Sequence, residues 1–522
     1  MQKNRLYYGD NLEIIPKIPL ESVDLCYIDP PFNSNRDYNL IYNNVGKEDK
    51  AQVQAFTDTW EWDNAAIDGY NEIISNENNF YTLQTVNLIE ALYKILKQGN
   101  LLAYIVSMTQ RIAHIYRVLK PTGSFYLHCD PTASHYLKLV LDSIFCPKGG
   151  DFRNEIAWCY KSRPQSKKYF GKKHDVIFFY TKSNKYTFNW ADVARPLSES
   201  TKKKYRLIDE NGRKYRLQGR GIKGSPVCSA KDVDIKWEQT NPELVVRDYL
   251  DEKIGVALED WWEIDIINQS AKERLGYSTQ KPEALLERII EASSNESDVI
   301  LDAYCGCGTT VAVAEKLKRR WIGIDITYQS ISLILKRLEE KFENGKQLIE
   351  DINLAGVPQD LESARALANK KDDRTRKEFE KWAILTFANN RAYINEQKGA
   401  DKGIDGIAKM AVSAEESKDV LFSVKSGKVD VAQIRDFRGT IEREGAALGF
   451  FITLQNPTKP MLQEARDAGQ FNNPLIDRKI DKIQIVTIEQ ILKKERMSLP
   501  LMRDILKKAQ RQQSDVRNLI EF

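Results

Sequence analysis

The sequence predicts an α/β protein: a doubly wound, mostly parallel sheet that carries an insertion, followed by a second, smaller α/β domain. Three observations lead there. The chain has 522 residues, more than one ordinary domain holds, so two or three are expected. Over residues 1–345, strand-like apolar runs alternate with helical periodicity, the pattern of α/β folds. Beyond residue 376 a fresh succession of helix and strand patterns begins that does not continue the first.

The strands are expected at Val23–Ile28, Gly123–His128, Val176–Tyr180, Val299–Ala303 and Trp321–Ile324, with helices at Ala133–Ile144 and Glu283–Ser293. Between 191 and 270 the periodicity weakens. Lys202, Lys203, Lys204, Arg206, Arg213, Lys214, Arg216, Arg220 and Lys223 cluster there, with Tyr205, Tyr215, Trp237, Trp261 and Trp262 among or close behind them. Such a stretch is either a solvated irregular insertion or a module that reads nucleic acid. Residues 346–375 are polar, read as a helical linker, and close on the charged run Lys370 to Arg376, where a domain boundary fits. The second domain, 376–500, reads as a helix (Lys377–Asn389), two strands (Ile404–Val412, Val420–Val424), a helix (Val431–Glu442) and a strand (Leu448–Leu454). Residues 501–522 are expected to form a helical tail.

Composition narrows the function. Hydrophobic residues at 42% and charged residues at 29% are those of an ordinary globular chain. The net charge of +4 is small against 78 basic and 74 acidic side chains, so any nucleic-acid binding must rest on local clusters. The 7 cysteines show no framework spacing, which predicts reduced thiols and a cytoplasmic location. Cys305 and Cys307 lack a second Cys/His pair at ligand spacing, so zinc is not expected. No apolar run approaches the roughly 20 residues that span a bilayer.

Two loops carry the chemistry. Asp29-Pro30-Pro31-Phe32 follows the apolar strand Val23–Ile28 directly. Consecutive prolines stiffen a turn and can hold a carboxylate and a free carbonyl in fixed positions. The second loop, Asp302-Ala303-Tyr304-Cys305-Gly306-Cys307-Gly308-Thr309, lies between a strand and a helix, where glycines let the backbone approach a ligand. A further strand ends in Asp325, an acid placed to bind ribose hydroxyls.

This pair of loops resembles the hallmarks of the DNA amino-methyltransferases, a (D/N/S)PP(Y/F) catalytic motif and an FxGxG cofactor loop. The catalytic motif precedes the cofactor loop, as in the beta group. Tyr304 stands where the family most often has Phe. The resemblance continues through 125–136 (FYLHCDPTASHY), 173–177 (KHDVI) and 276–282 (GYSTQKP), and covers about residues 5–340. It implies a Rossmann-like fold, S-adenosylmethionine as cofactor and double-stranded DNA as substrate. Tyr304, Gly306, Gly308 and Thr309 would shape the cofactor loop, and Asp302 would lie beside the amino-acid end of the cofactor. Asp325 would bind the ribose, while Lys281 and Pro282 would contact the cofactor from the far side. The insertion at 191–270 would be the target-recognition region.

Asp29, Pro30, Pro31 and Phe32 would form the catalytic site. The lone pair of an exocyclic amine is delocalised into its base. Acceptors that take both amine hydrogens (the Asp29 carboxylate and the Pro30 carbonyl) draw the nitrogen toward the geometry needed for attack. Phe32 would stack on the flipped base. Asp29 favours adenine N6, since the cytosine-N4 enzymes more often carry Ser there. His128 and His135 read as structural.

The second domain resembles the Mrr-like branch of the PD-(D/E)xK nucleases over 376–456. Asp405 and Lys425 match the acid and the lysine, and Asp405 would hold Mg2+. Ser423 stands where an acid is expected, a poor metal ligand; Glu380, on the preceding helix, would supply the missing oxygen. Lys428, Arg435, Arg438 and Arg443 are candidates for phosphate contacts. Cleavage and mere DNA binding both remain open for this domain, as do a dimer and a restriction or defence partner subunit. The rivals to adenine methylation are cytosine N4, an RNA base or a protein glutamine as acceptor, and a non-catalytic DNA-binding subunit with a vestigial cofactor loop.

Overall fold

A computed structural model of the chain describes residues 3–31, 37–41, 52–57, 60–129, 133–161, 168, 170–220, 233, 235–268, 270–275, 277, 279–369, 373–389, 391–395, 403–413, 416–475, 478–493, 495 and 502. They form two compact units. The first comprises Met1–Tyr186, Trp261–Ile290 and Asn295–Phe522, and the second Thr187–Asp260 with Glu291–Ser294.

Within the first unit, nine strands among the described residues make one sheet. They are β1 (Arg5–Tyr8), β2 (Val23–Ile28), β3 (Leu119–Cys129), β4 (Asp151–Cys159), β5 (His174–Thr181), β6 (Trp261–Glu263), β7 (Val299–Asp302), β8 (Arg320–Asp325) and β9 (Asn353–Ala355). Their order is β6-β4-β5-β3-β2-β7-β8-β1-β9. Every neighbouring pair is parallel except those of β5, which runs antiparallel to β3 and β4. The sheet is thus the mostly parallel α/β sheet expected.

Sequence explains why β2 lies deep. Its residues read VDLCYI, and all but Asp24 are buried, as suits a strand covered on both faces. Helix α1 (Asn100–Val118) is buried around most of its circumference. Helix α2 (Ser134–Phe145) follows β3. In helix α3 (Glu283–Ser293), Leu285, Leu286, Ile289 and Ile290 make one fully buried apolar stripe at helical spacing. Helices α4 (Thr309–Lys316) and α5 (Tyr328–Lys341) follow β7 and β8, completing strand–helix units.

Two stretches differ from expectation. Trp261 and Trp262, grouped by sequence with the basic insertion, belong to edge strand β6 and pair with Ala157 and Trp158. The supposed helical linker 346–375 contains helices at Gly345–Asp351 and Leu361–Ala368. It also contains β9, which pairs with β1 and extends the first sheet.

Helix α6 (Asp373–Phe387) leads into a second sheet, of order β10-β11-β12-β13-β14: β10 (Ala392–Ile394), β11 (Gly406–Ala411), β12 (Ser417–Lys425), β13 (Leu448–Thr453) and β14 (Ile483–Thr487). Helix α7 (Val431–Arg443) connects the parallel strands β12 and β13. The apolar cluster under this sheet is continuous with that of the first. Tyr328, Ile331, Ile334 and Leu338 of α5 share it with Phe379, Trp382 and Ala383 of α6. Burying Phe379 and Trp382 contributes about 2–3 kcal/mol each, enough to weld α6 to α5. Apart from Met502, the expected tail 501–522 lies outside the described residues.

The second unit holds a three-stranded antiparallel sheet among its described residues (Leu207–Ile208, Lys214–Gly219, Val245–Tyr249) over a small core of Tyr215, Leu217 and Val245. Several of its basic side chains are already paired. Arg213 meets Asp251 and Glu252, Arg216 meets Asp248, and Lys253 meets Asp248.

Candidate functional site

Strands β2, β7, β8 and β1 are consecutive and parallel, so their C-terminal ends open on the same edge of the sheet. In an open α/β sheet that edge is where ligands bind. The four ends deliver Asp29, the loop after Asp302, Asp325, and Gly9-Asp10. They surround a cavity of about 490 Å³. Its lining includes Asp29, Pro30, Pro31, Lys281, Asp302, Tyr304, Gly306, Thr309 and Asp325. The two loops read as separate motifs therefore share one cavity. Gly308 and Pro282 stand outside the lining. Gly308 (φ +73°) begins α4 against Ile334, and Pro282 is buried just before α3. Phe32 lies outside the described residues.

Asp29 is held through one of its two oxygens. Its Oδ2 is ion-paired with Lys281 Nζ, so Lys281 engages the Asp29-Pro30-Pro31 loop as well as the shared cavity. Its Oδ1 is buried and accepts no hydrogen bond among the described residues. His128, fully buried, places Nδ1 4.0 Å from that oxygen. The Tyr27 hydroxyl lies 2.9 Å from the same Nδ1, and Nε2 lies 3.3 Å from Asp175 Oδ2. The Tyr27 hydroxyl and the Asp175 carboxylate thus fix the ring through its two nitrogens. Burial pushes the Asp175 carboxyl up, but the His128 contact and Lys281 outweigh it and hold the group below its ordinary range. His135 is exposed.

The cofactor-loop acids are strained electrostatically. Burial lifts Asp302 to about 7, with the Asp29 and Asp325 carboxylates adding to it against hydrogen bonds from Thr310 and the Tyr304 N–H, the latter at 3.0 Å. Burial likewise lifts Asp325 to about 6, although the Gly306 N–H and the Thr327 N–H and hydroxyl all donate to it at 2.9 Å. Mutually repelling carboxylates beside an acceptor oxygen without a donor suit a ligand that is cationic and carries N–H or O–H donors. S-adenosylmethionine meets both conditions, with its sulfonium and ammonium charges and its ribose hydroxyls.

Sequence reasoning missed the brace behind this wall. Arg111 donates from Nε to Asn11 Oδ1 at 2.6 Å and from NH2 to Asp10 Oδ1 at 2.9 Å. Asn11 Nδ2 in turn donates to the Ala303 carbonyl at 2.8 Å. The signals were a Gly-Asp turn directly after β1 and an arginine (Arg111) on a helix that is mostly buried. Trp60, another unanticipated lining residue, stands edge-on to Tyr104 at 5.4 Å.

In the second domain, Asp405 precedes β11 and Ser423 and Lys425 lie on β12. Asp405 Oδ2 accepts the Val424 N–H at 2.7 Å and lies 3.5 Å from the Ser423 hydroxyl. Glu380 on α6 is near enough that the Asp405 carboxylate, after burial, raises its pKa, while Lys377 and Lys425 oppose. Two like charges beside a lysine suit a divalent ion kept largely hydrated. Asp405 and Glu380 would hold it, and it would polarise a phosphodiester. The third oxygen of a tighter site is only the Ser423 hydroxyl, and among the described residues no group of three or more His, Cys, Asp and Glu side chains converges. Arg435, Arg438 and Arg443 sit in exposed ion pairs with Glu464, Glu442 and Glu444, pairs weak enough to exchange for phosphate.

Residues 23–336 match the N6/N4 methyltransferase family model, described as DNA methylase, and residues 372–488 match a family described as restriction endonuclease. The chain is 29% identical over 358 residues to type II methyltransferase M.HpaI of Haemophilus parainfluenzae, covering 68% of this chain and 80% of that one. It is 28% identical over 336 residues to DNA adenine methyltransferase YhdJ of Escherichia coli (strain K12), covering 64% and 82%. A shorter match, 45% identical over 89 residues, covers 17% of this chain and 33% of type II methyltransferase M2.DpnII of Streptococcus pneumoniae. The protein belongs to the N6/N4 DNA methylase family, with a C-terminal domain of the Mrr-type restriction endonuclease family.

Proposed function

We propose that the protein methylates the N6 amine of adenine in double-stranded DNA at a specific site, with S-adenosylmethionine as donor. The observation that carries this reading is the buried Asp29 Oδ1, an acceptor without a donor among the described residues, in the cavity shared by the two loops. Asp rather than Ser at position 29 and the similarity to an enzyme named as an adenine methyltransferase favour adenine over cytosine. When bound, the cofactor supplies an electrophilic methyl group. Asp302 and Asp325 offer anionic acceptors to its amino-acid and ribose ends, while Tyr304, Gly306 and Thr309 shape the wall between them. Asp29 and the Pro30 carbonyl take the two amine hydrogens, Pro31 stiffens the turn, and Phe32 stacks on the flipped base. Lys281 holds the Asp29 carboxylate in place, and Pro282 fixes the start of the helix behind it.

The insertion around 191–270 is proposed to read the target sequence. Residues 376–500 serve as a DNA-contacting domain, with Asp405, Glu380 and Lys425 around a hydrated Mg2+. Among the described residues no helix is long and apolar enough to cross a membrane, and we place the protein in the cytoplasm, where its DNA is. A second copy or a defence-system subunit is a proposed partner.

Asp29→Ala tests the assignment. Methyl transfer should fall roughly a hundred- to a thousandfold, since a preorganised acceptor is removed, while S-adenosylmethionine binding persists in calorimetry. Retained transfer would sink the role of Asp29.

A further inference from the structure

We infer that the C-terminal domain contributes a positioning residue, Glu378, to the methyltransferase cofactor pocket, so methylation depends on that domain whether or not it cuts DNA. The inference rests on the cofactor reading above. Glu378 lies on α6 and is buried, at 8% exposure. Its Oε2 accepts the N–H of Tyr328 at 3.0 Å and lies 3.5 Å from the Tyr8 hydroxyl. Its other oxygen meets Lys381 Nζ at 2.9 Å.

Both targets adjoin the cavity. Tyr328 opens α5 directly after Thr327, whose N–H and hydroxyl hold the Asp325 carboxylate. Tyr8 ends β1 and precedes Gly9, whose N–H donates to the Asp325 carbonyl at 2.9 Å. Asp325 then holds the Gly306 N–H at 2.9 Å. Two routes therefore run from one carboxylate of the second domain to the residue expected to bind the ribose. A carboxylate at the first turn of α5 also complements the partial positive charge of that helix end. The contact is reinforced by the Tyr328 and Thr386 hydroxyls, 2.9 Å apart, and by the edge-on pair Tyr8–Tyr328 at 6.0 Å.

The same helix carries Glu380 toward Asp405. Residues two apart on a helix point about 200° from one another, so α6 presents Glu378 to one site and Glu380 to the other.

The test uses the full-length protein and calorimetric titration with S-adenosylmethionine. Glu378→Ala should weaken binding at least fivefold and raise KM for the cofactor in proportion, with kcat at saturation within twofold. Glu378→Gln, which keeps an acceptor for the Tyr328 N–H, should recover most of the loss. Glu489→Ala, an exposed change in the same domain, should bind as wild type. Wild-type affinity in a folded Glu378→Ala protein overturns the inference. If that variant does not fold, Glu378→Asp decides, since its shorter side chain draws the carboxylate back from the Tyr328 N–H and the Tyr8 hydroxyl: weakened binding supports the inference and unchanged binding overturns it. A wild-type protein that shows no binding would contradict the cofactor reading itself.

Discussion

Asp302 and Asp325 bind protons more tightly than ordinary aspartates, at about 7 and about 6, because burial and neighbouring carboxylates disfavour their charged forms. Two opposite pH trends follow. A cationic cofactor needs the ionised acids, so affinity should rise between pH 5.5 and pH 8, and a flat titration over that range would contradict the assignment. Stability of the ligand-free protein should move the other way. A carboxyl whose folded pKa is raised contributes stability below its unfolded value, near 4, and loses it as pH rises through the folded value. Asp302→Asn should therefore stabilise the ligand-free protein by on the order of 2–4 kcal/mol at pH 8 and by little at pH 4, measured by urea unfolding, while weakening cofactor binding. At this scale Asp29, Asp302 and Asp325 were legible because each ends an apolar strand. The ion pair between Lys281 and Asp29 was not, since 252 positions separate them and no local pattern records it.

The cofactor loop depends on two glycines of unequal consequence. At Gly308 the backbone is left-handed (φ +73°) and an added Cβ would fall 2.6 Å from Ile334 Cγ1 inside the core. Gly308→Ala should cost about 2–4 kcal/mol, from both backbone conformation and overpacking, and lower the melting temperature accordingly. At Gly306 (φ +48°) the nearest atom would be 3.4 Å away, so Gly306→Ala should cost only the conformational part, about 1–2 kcal/mol. Equal melting temperatures for the two variants would contradict this account of the loop. Elements with a strong period were legible to the residue, as at Val23–Ile28 and Glu283–Ser293. Asn353–Ala355 escaped because three residues show no period, and Trp261–Glu263 because exposed-looking aromatics beside a basic cluster suggested DNA contact rather than a sheet edge.

For the whole molecule, the order of the domains was legible from their motifs, but their union was not. Glu378 reads in sequence as one more charge on an amphipathic helix, and only the fold shows it buried against Tyr328 and Tyr8. The second domain's chemistry turns on Ser423, which lies beside Asp405 on the strand expected to bring a second acid. Ser423→Glu should increase Mg2+-dependent nicking of supercoiled DNA at least tenfold over wild type. An unchanged or lower rate, with the melting temperature preserved, would show that the missing carboxylate is not what limits cleavage.

The central claim is the identity of the methylated atom. Sequencing that detects modified bases, on DNA from cells producing the protein and from cells producing Asp29→Ala, tests it directly. The account predicts N6-methyladenine within one short sequence, lost in the variant. N4-methylcytosine in that place, or N6-methyladenine that persists in the variant, would contradict it.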